Sequence, residues 1–390
     1  MAETQPLLRP MSQDSVGMLC IFAVTSGLVV AWCSLDSWNR DVSSQLFGVG
    51  EVKSMHVDAA TGTYVPEVNS FNAPLTLALM QFVFMGLFFT ALFFMLSNSP
   101  REELAMVLCT IRGWRWPTLV LTHVFSIFWL QALMLPSNPL AIGSYAALRA
   151  CEVPSAYFMR AKVFGTGLAR TKDLLSPVLM FVAAMLLFFS YSKLAQCLCI
   201  WGGFGVTLTG PAFMIIYALL LMIPAANVVC QESIVKQLEV PFSLMLAACN
   251  IGAAVIFLPV VLFSYVLGFE DYTGAWHLIL GYQQVYMLIL WLCVQMTALA
   301  VVNICLISTV NSFWTVSLRS FRVVFWWCRV LLLFYFSSGA ELLSTALPVE
   351  SAWSFLMLCG LALAVVAIFT ERNVFTECIN DKRAAAEISC

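Results

Sequence analysis

The sequence predicts an all-α polytopic membrane protein with ten transmembrane helices, arranged as two inverted five-helix repeats with both termini in the cytoplasm. Three observations predict this fold: the composition, the length of the apolar runs and the distribution of basic residues between alternate loops. Of the 390 residues, 61% are hydrophobic and 10% are charged, whereas a soluble protein carries about 25% charged residues. The composition therefore argues against a soluble enzyme, a disordered protein, a DNA-binding domain and a secreted disulfide scaffold.

The apolar runs have the length of membrane-spanning helices, which need about 20 residues each. No basic region precedes the first run, so we expect a retained spanning helix there rather than a cleaved signal peptide. The eighth run continues into the ninth almost without a break. The ten predicted spans lie near 16–33, 74–96, 118–136, 139–157, 174–191, 200–223, 240–267, 280–305, 310–337 and 350–369.

The basic residues follow the positive-inside rule when the N-terminus is placed in the cytoplasm. Most of the 19 Lys and Arg residues then lie on the cytoplasmic side, among them Arg160 and Lys236. The segments on the opposite side contain only Arg40, Lys53 and Lys193. Ten spans preserve this asymmetry, whereas nine or eleven spans would mix the two sides.

This topology divides the chain into four parts. A cytoplasmic tail, 1–15, precedes the first five-helix half, 16–191, which includes a lumenal loop at 34–73. The second five-helix half is 192–369, and a cytoplasmic tail, 370–390, follows it.

Two pairs of charged residues indicate that the halves are repeats. Arg149 and Arg319 lie 170 positions apart, as do Glu152 and Arg322, so the fourth helix corresponds to the ninth. Halves with an odd number of helices have opposite orientations in the membrane. Inverted repeats of this kind place the substrate site at their interface, near the middle of the membrane.

The arginines predict a cavity that binds an anion. Arg149, Arg319 and Arg322 carry guanidinium groups, which bind phosphate or carboxylate oxygens bidentately and stay charged at any working pH. Charged groups inside a membrane face a cavity or a partner, because contact with lipid is costly. The alternative is that Arg149 pairs with Glu152, while Arg319 and Arg322 extend to the headgroups.

Uncharged residues form a second group of candidate ligands. Asn250 and Asn303 could hydrogen-bond a polar substrate, with helix–helix hydrogen bonds as the alternative, and Tyr145 could stack on a base. No metal-binding, nucleophile or phosphate-loop motif accompanies them. We therefore expect no enzyme activity, no cofactor, no metal and no nucleic-acid partner. The expected partners are a small anionic substrate and the lipid bilayer, and a homodimer is left open.

Several segments also carry motifs. They are 71–77 (FNAPLTL), 249–251 (CNI), 257–259 (FLP), 308–316 (STVNSFWTV) and the last helix, 353–369. In these segments the chain resembles the nucleotide-sugar transporter and triose-phosphate translocator branch of the drug/metabolite transporter superfamily. The resemblance implies ten helices in inverted halves, with the fourth and ninth lining a cavity, and exchange of a phosphorylated solute.

The motifs do not identify the substrate. Arg322 aligns with the Arg of the translocators' Lys-Arg pair, but Phe321 occupies the Lys position. The segment 317–321 (SLRSF) also departs from the Gly-Ala-Leu-Asn-Lys pattern of the GDP-mannose transporters.

The sequence therefore predicts an antiporter of a phosphorylated, nucleotide-linked sugar that works by alternating access in the Golgi or another endomembrane. Glu3, Leu7 and Leu8 resemble an acidic dileucine signal, which points instead to endosomes or the vacuole. Two alternatives stay open. One is the same fold carrying a sugar phosphate, an amino acid or an amine, and the other is a membrane scaffold that does not transport.

Overall fold

The computed structural model describes residues 13–48, 50–57, 64–71, 73–110, 113–133, 152–165 and 222–319, together with scattered residues between 178 and 208 and between 325 and 366. Its helices are α1 (Gln13–Gly48), α2 (Pro74–Leu96), α3 (Pro100–Thr110), α4 (Arg115–Leu133), α5 (Glu152–Phe164), α6 (Met222–Gln237), α7 (Phe242–Leu267), α8 (Tyr272–Gly281), α9 (Gln283–Thr309) and α10 (Ser312–Arg319). The strands β1 (Gly50–Val57) and β2 (Tyr64–Ser70) form an antiparallel hairpin between α1 and α2. A second, two-residue pair joins β3 (Leu198–Cys199) to β4 (Thr207–Leu208).

Three of the described helices, α2, α7 and α9, are long and apolar enough to cross a membrane. Large apolar side chains are exposed on all three, for example Leu87, Val255 and Trp291. An apolar surface of this extent is normally covered by lipid or by another protein. The chain is thus a helical membrane protein.

The helices differ from the predicted spans in several places, and α3 and most of α8 lie outside all ten of them. α1 continues through 34–48, so the predicted loop at 34–73 contains the end of this helix and the β1–β2 hairpin. α5 continues beyond 157 to Phe164. α6 covers a segment that follows the predicted span 200–223, because its polar residues lower the hydropathy on which that prediction relied.

α2 and α7 pack closely against each other. Their backbones approach closely at Gly86, where a Cβ atom would lie 3.1 Å from Cγ1 and 3.4 Å from the backbone nitrogen of Ile251. At Gly252, on the other side of α7, a Cβ atom would lie 3.2 Å from a methyl group of Val120 in α4. Small residues at such contacts let membrane helices gain van der Waals packing.

The remaining helices form further packed pairs. α1 packs on α9 and α4 packs on α6, while α5 contacts both α6 and α10. α6 is buried on nearly all sides between Pro224 and Ile234, which is typical of a helix enclosed by others.

The bundle has two chemically different ends. At the end where α6 leads into α7, Arg115 donates a hydrogen bond of 2.6 Å to Gln237; we call this the basic end. At the opposite end, Glu270 accepts hydrogen bonds from the backbone N–H groups of Leu75 (2.5 Å) and Thr76 (3.3 Å). This carboxylate satisfies donors that the first turn of α2 leaves open; we call this the acidic end.

Candidate functional site

A series of side-chain hydrogen bonds crosses the interior from α10 to α4. Arg319 Nη1 donates to Asn303 Oδ1 (3.0 Å), and Asn303 Nδ2 donates to Gln231 Oε1 (2.9 Å). Gln231 Nε2 donates to Asn227 Oδ1 (2.9 Å), whose Nδ2 donates to Thr122 Oγ1 (3.2 Å). We call these five residues the polar chain.

The helical repeat explains why α6 supplies the middle of the polar chain. Asn227 and Gln231 are four positions apart, so their side chains lie on one face of α6, one above the other. Both are buried. Amides in such a position need partners, because a buried polar group without a hydrogen bond is costly, and here each amide satisfies the next.

Arg319 is the charged end of the polar chain, and its side chain is 7% exposed. Its guanidinium carbon lies 4.6 Å from the centroid of the Trp32 ring of α1, a cation–π geometry. The interior position does not fit the alternative in which Arg319 extends to the lipid headgroups. The contacts of Arg319 join α10 to both α1 and α9.

A second group of charges surrounds Glu232, which follows Gln231 in α6. Glu232 lies 3.2 Å from Arg160 Nε of α5 and 3.2 Å from Lys236 Nζ. It also accepts hydrogen bonds from the backbone N–H (3.0 Å) and hydroxyl (2.5 Å) of Ser312. Glu232 is 1% exposed, whereas Arg160 is 24% exposed. We call Glu232, Arg160, Lys236 and Ser312 the carboxylate cluster.

The carboxylate cluster fixes three helices to one another at the basic end. Lys236 Nζ also donates to the carbonyl oxygen of Val310, between α9 and α10 (2.9 Å). One carboxylate therefore holds α5, α6 and the start of α10 together. It can do so only while Arg160 and Ser312 stay close to it.

The sequence prediction missed the carboxylate cluster. Arg160 was expected in a cytoplasmic loop, but it lies within α5. Glu232 and Lys236 have the i, i+4 spacing of a helical ion pair. This spacing, next to the apolar residues 228–230, was the feature of the sequence that could have indicated a buried ion pair. Nothing in the sequence indicated that Arg160 would be the third member.

Another buried pair joins α4 to α7. His123 Nε2 lies 2.9 Å from Asn250 Oδ1, and Asn250 Nδ2 donates to the carbonyl oxygen of Leu246 (2.8 Å). Asn250 is 0% exposed, and both ends of its amide are used within the protein. These contacts match the helix–helix alternative for Asn250, and its role toward a substrate remains a prediction.

The structure brings together two of the predicted site residues, Arg319 and Asn303. Asn250 belongs to the separate pair with His123. Three other predicted site residues, Arg149, Arg322 and Tyr145, lie outside the described residues.

In the part of the chain that the structure describes, no group of three or more His, Cys, Asp and Glu residues could hold a metal ion. No protein-family model matches the sequence, and no curated protein matches it either. Fold and site together define the class of protein: a helical membrane protein with hydrogen-bonded polar and charged residues in its interior.

Proposed function

We propose that this protein is an antiporter that exchanges a phosphorylated, nucleotide-linked sugar across an endomembrane by alternating access. The observation that carries the proposal is the buried guanidinium of Arg319, held between Asn303 and Trp32. An arginine inside a membrane bundle is costly and marks a functional site by default. A guanidinium suits the oxygens of a phosphate, which it can bind bidentately.

Alternating access requires two halves that can rock against each other, and helix packing supports such halves. We assign α1–α5 to the first half and α6–α10 to the second. Each packing contact between the halves then has a counterpart: α1 on α9 corresponds to α6 on α4, α2 on α9 to α7 on α4, and α5 on α6 to α10 on α1. Exchanging the two halves leaves the contacts α2–α7 and α5–α10 unchanged.

The order of helix lengths supports the same assignment. In each half a short helix, α3 or α8, separates the second long helix from the third. α2 and α7 start 168 positions apart, α3 and α8 start 172 apart, and α4 and α9 start 168 apart. These three spacings agree with the 170 positions between Arg149 and Arg319, whereas α1 and α6 start 209 positions apart and α5 and α10 start 160 apart.

The carboxylate cluster is proposed as the gate at the basic end. Arg160 belongs to the first half, and Glu232 and Ser312 belong to the second, so the ion pair closes this end while it is intact. Opening the basic end would separate Arg160 from Glu232. By the positive-inside rule this end faces the cytoplasm.

A thermal-shift screen of the purified full-length protein tests the proposal. We expect one or more nucleotide sugars or nucleoside monophosphates to raise the melting temperature, because a ligand that binds only the folded state stabilises it. Arg319→Ala should abolish the shift, whereas Arg101→Ala, an exposed arginine on α3, should retain it. Stabilisation by cationic amines alone, or by no phosphorylated compound, would contradict the proposal.

A further inference from the structure

The apolar helix α1 has a polar buried face. Along this face lie Thr25, Trp32, Asn39 and Ser43, spaced by seven and four positions, so they form one stripe along the helix. Asn39 Nδ2 lies 3.3 Å from the sulfur of Met296 in α9. A thioether is a weak acceptor, so this contact satisfies the amide poorly.

Several buried polar atoms near this contact have no hydrogen-bond partner among the described residues. Gln295, which precedes Met296, is 2% exposed, and neither Oε1 nor Nε2 of its amide is bonded. The same holds for Asn39 Oδ1 and for Ser43 Oγ. We call Asn39, Ser43 and Gln295 the amide group.

Several other hydroxyls of this bundle are satisfied locally, whereas Thr25, Ser264 and Thr315 share with Ser43 the lack of a partner among the described residues. Thr122, Thr297 and Ser317 each donate to the carbonyl oxygen four positions earlier. Native proteins leave few buried polar atoms without partners, and each such atom calls for a specific explanation. Three residues of this kind within about one helical turn of the Asn39–Met296 contact indicate a partner that binds there.

The chemistry of the amide group indicates what that partner is. An amide both donates and accepts, as does a hydroxyl, and none of the three residues is charged. Such a set suits the hydroxyl groups of a neutral sugar, which also donate and accept. It offers nothing specific to a phosphate.

The amide group lies two helical turns from Arg319. Arg319 contacts Trp32 of α1 and Asn303 of α9. Asn39 lies seven positions from Trp32 along α1, and Met296, which Asn39 contacts, lies seven positions from Asn303 along α9. The two helices are antiparallel, so both intervals run toward the acidic end. At 1.5 Å per residue the two levels are about 10 Å apart.

We infer that the amide group is a hydrogen-bonding subsite for the sugar part of the substrate whose phosphate part binds at Arg319. The inference rests on the proposed function and adds the orientation: the sugar lies toward the acidic end and the phosphate toward the basic end. It also adds that the substrate is an elongated conjugate with one anionic end and one hydroxylated end.

The test compares conjugates with their phosphate fragments on the full-length protein. The probes are UDP-N-acetylglucosamine with UMP and GDP-mannose with GMP, and the variants are Asn39→Leu and Gln295→Leu. We expect each variant to bind the preferred nucleotide sugar about tenfold more weakly, the effect of losing one good hydrogen bond, and to bind the monophosphate as the wild type does. Gln284→Leu, an exposed glutamine on the same helix, is the matched control.

Stability gives an independent readout. Because Gln295→Leu removes an amide that has no partner among the residues that the structure describes, the ligand-free variant should melt no lower than the wild type. If Gln295→Leu melts at a lower temperature and still distinguishes the nucleotide sugar from the monophosphate as the wild type does, Gln295 has a structural role and the inference is overturned.

The remaining outcomes separate the inference from the proposed function. If both variants bind nucleotide sugars normally while Arg319→Ala does not, the subsite is wrong and the proposed function stands. If the wild type binds none of the four probes, the nucleotide-sugar proposal fails and the subsite fails with it.

Discussion

Glu232 is buried in a membrane bundle, yet two cations and two hydrogen-bond donors of Ser312 satisfy it. A buried charge is tolerated only with such compensation, and removing one partner of a buried pair is strongly destabilising. Arg160 is partly exposed and can recover some hydration when Glu232 is lost. Loss of the ion pair should therefore be more costly for the buried carboxylate of Glu232 than for the guanidinium of Arg160.

This asymmetry predicts a measurable coupling between the two residues. Arg160→Met and Glu232→Gln should each lower the melting temperature of the purified protein, and the double variant should lower it by less than the sum. The expected coupling is about 1–3 kcal/mol. Arg101→Met combined with Glu232→Gln should be additive, and additivity of Arg160→Met with Glu232→Gln would refute the gate contact.

The sequence singles out residues that are unusual in their own segment, and their role toward a substrate stays a prediction. Arg319 and Asn303 stand out as polar groups in apolar runs, and the structure places them 3.0 Å apart. Prediction failed for Arg160 and Glu232, which are 72 positions apart, because their pairing depends on the packing of α5 against α6. A charge near a helix end looks the same in sequence whether it faces solvent or a partner.

At the scale of elements, the start of α2 depends on a residue distant in sequence. Glu270, in the turn between α7 and α8, accepts from the N–H groups of Leu75 and Thr76. Burial raises the pKa of Glu270, and this effect exceeds the opposing effect of those hydrogen bonds and of the Thr76 hydroxyl. The folded protein therefore binds the Glu270 proton more tightly than the unfolded chain does.

The raised pKa predicts the sign of a pH effect. The contribution of Glu270 to stability is largest below the ordinary pKa of a glutamate, about 4.3, and it decreases as pH rises through the raised pKa. Relative to Glu270→Gln, the wild type should therefore lose melting temperature as pH increases from about 4 upward. Glu102→Gln, at an exposed position of α3, is the control. A wild type that gains stability over Glu270→Gln with rising pH would contradict this assignment.

The α2–α7 contact makes a prediction about packing. Gly86→Val places a Cβ atom 3.1 Å from Cγ1 of Ile251, closer than ordinary van der Waals contact, so we expect a loss of about 1–3 kcal/mol from overpacking. Gly27→Val in α1 introduces the same residue into a helix with nothing within 4 Å of the new Cβ atom. The difference in melting temperature between the two variants isolates the helix contact, and equal effects would show that α2 and α7 do not pack at Gly86.

At the scale of the whole molecule, composition predicted the helical membrane class because burial in lipid requires long apolar runs. The ends of α1 and α6 were harder to predict. Their buried faces carry Asp36, Asn39, Asn227 and Glu232, and hydropathy reports the average of a segment rather than the face that carries its polar residues. The polar interior that obscured these boundaries is also the part of the bundle to which we assign function.

The two halves that we propose would give these groups a common role. The polar chain and the carboxylate cluster both connect helices of the first half to helices of the second, since Thr122 bonds to Asn227 and Arg160 bonds to Glu232. Contacts of this kind can form in one state and break in the other. Differential contacts of this sort are what a ligand needs in order to shift a two-state equilibrium.

The most direct test of the central claim is counterflow in proteoliposomes that contain the full-length protein. Vesicles loaded with an unlabelled nucleoside monophosphate should accumulate the matching radiolabelled nucleotide sugar from outside. Vesicles with Arg319→Ala should not accumulate it, and vesicles with Arg101→Ala should behave as the wild type. Equal exchange by the wild type and Arg319→Ala, or no exchange of any phosphorylated solute by the wild type, would contradict an anion-exchanging transporter built around Arg319.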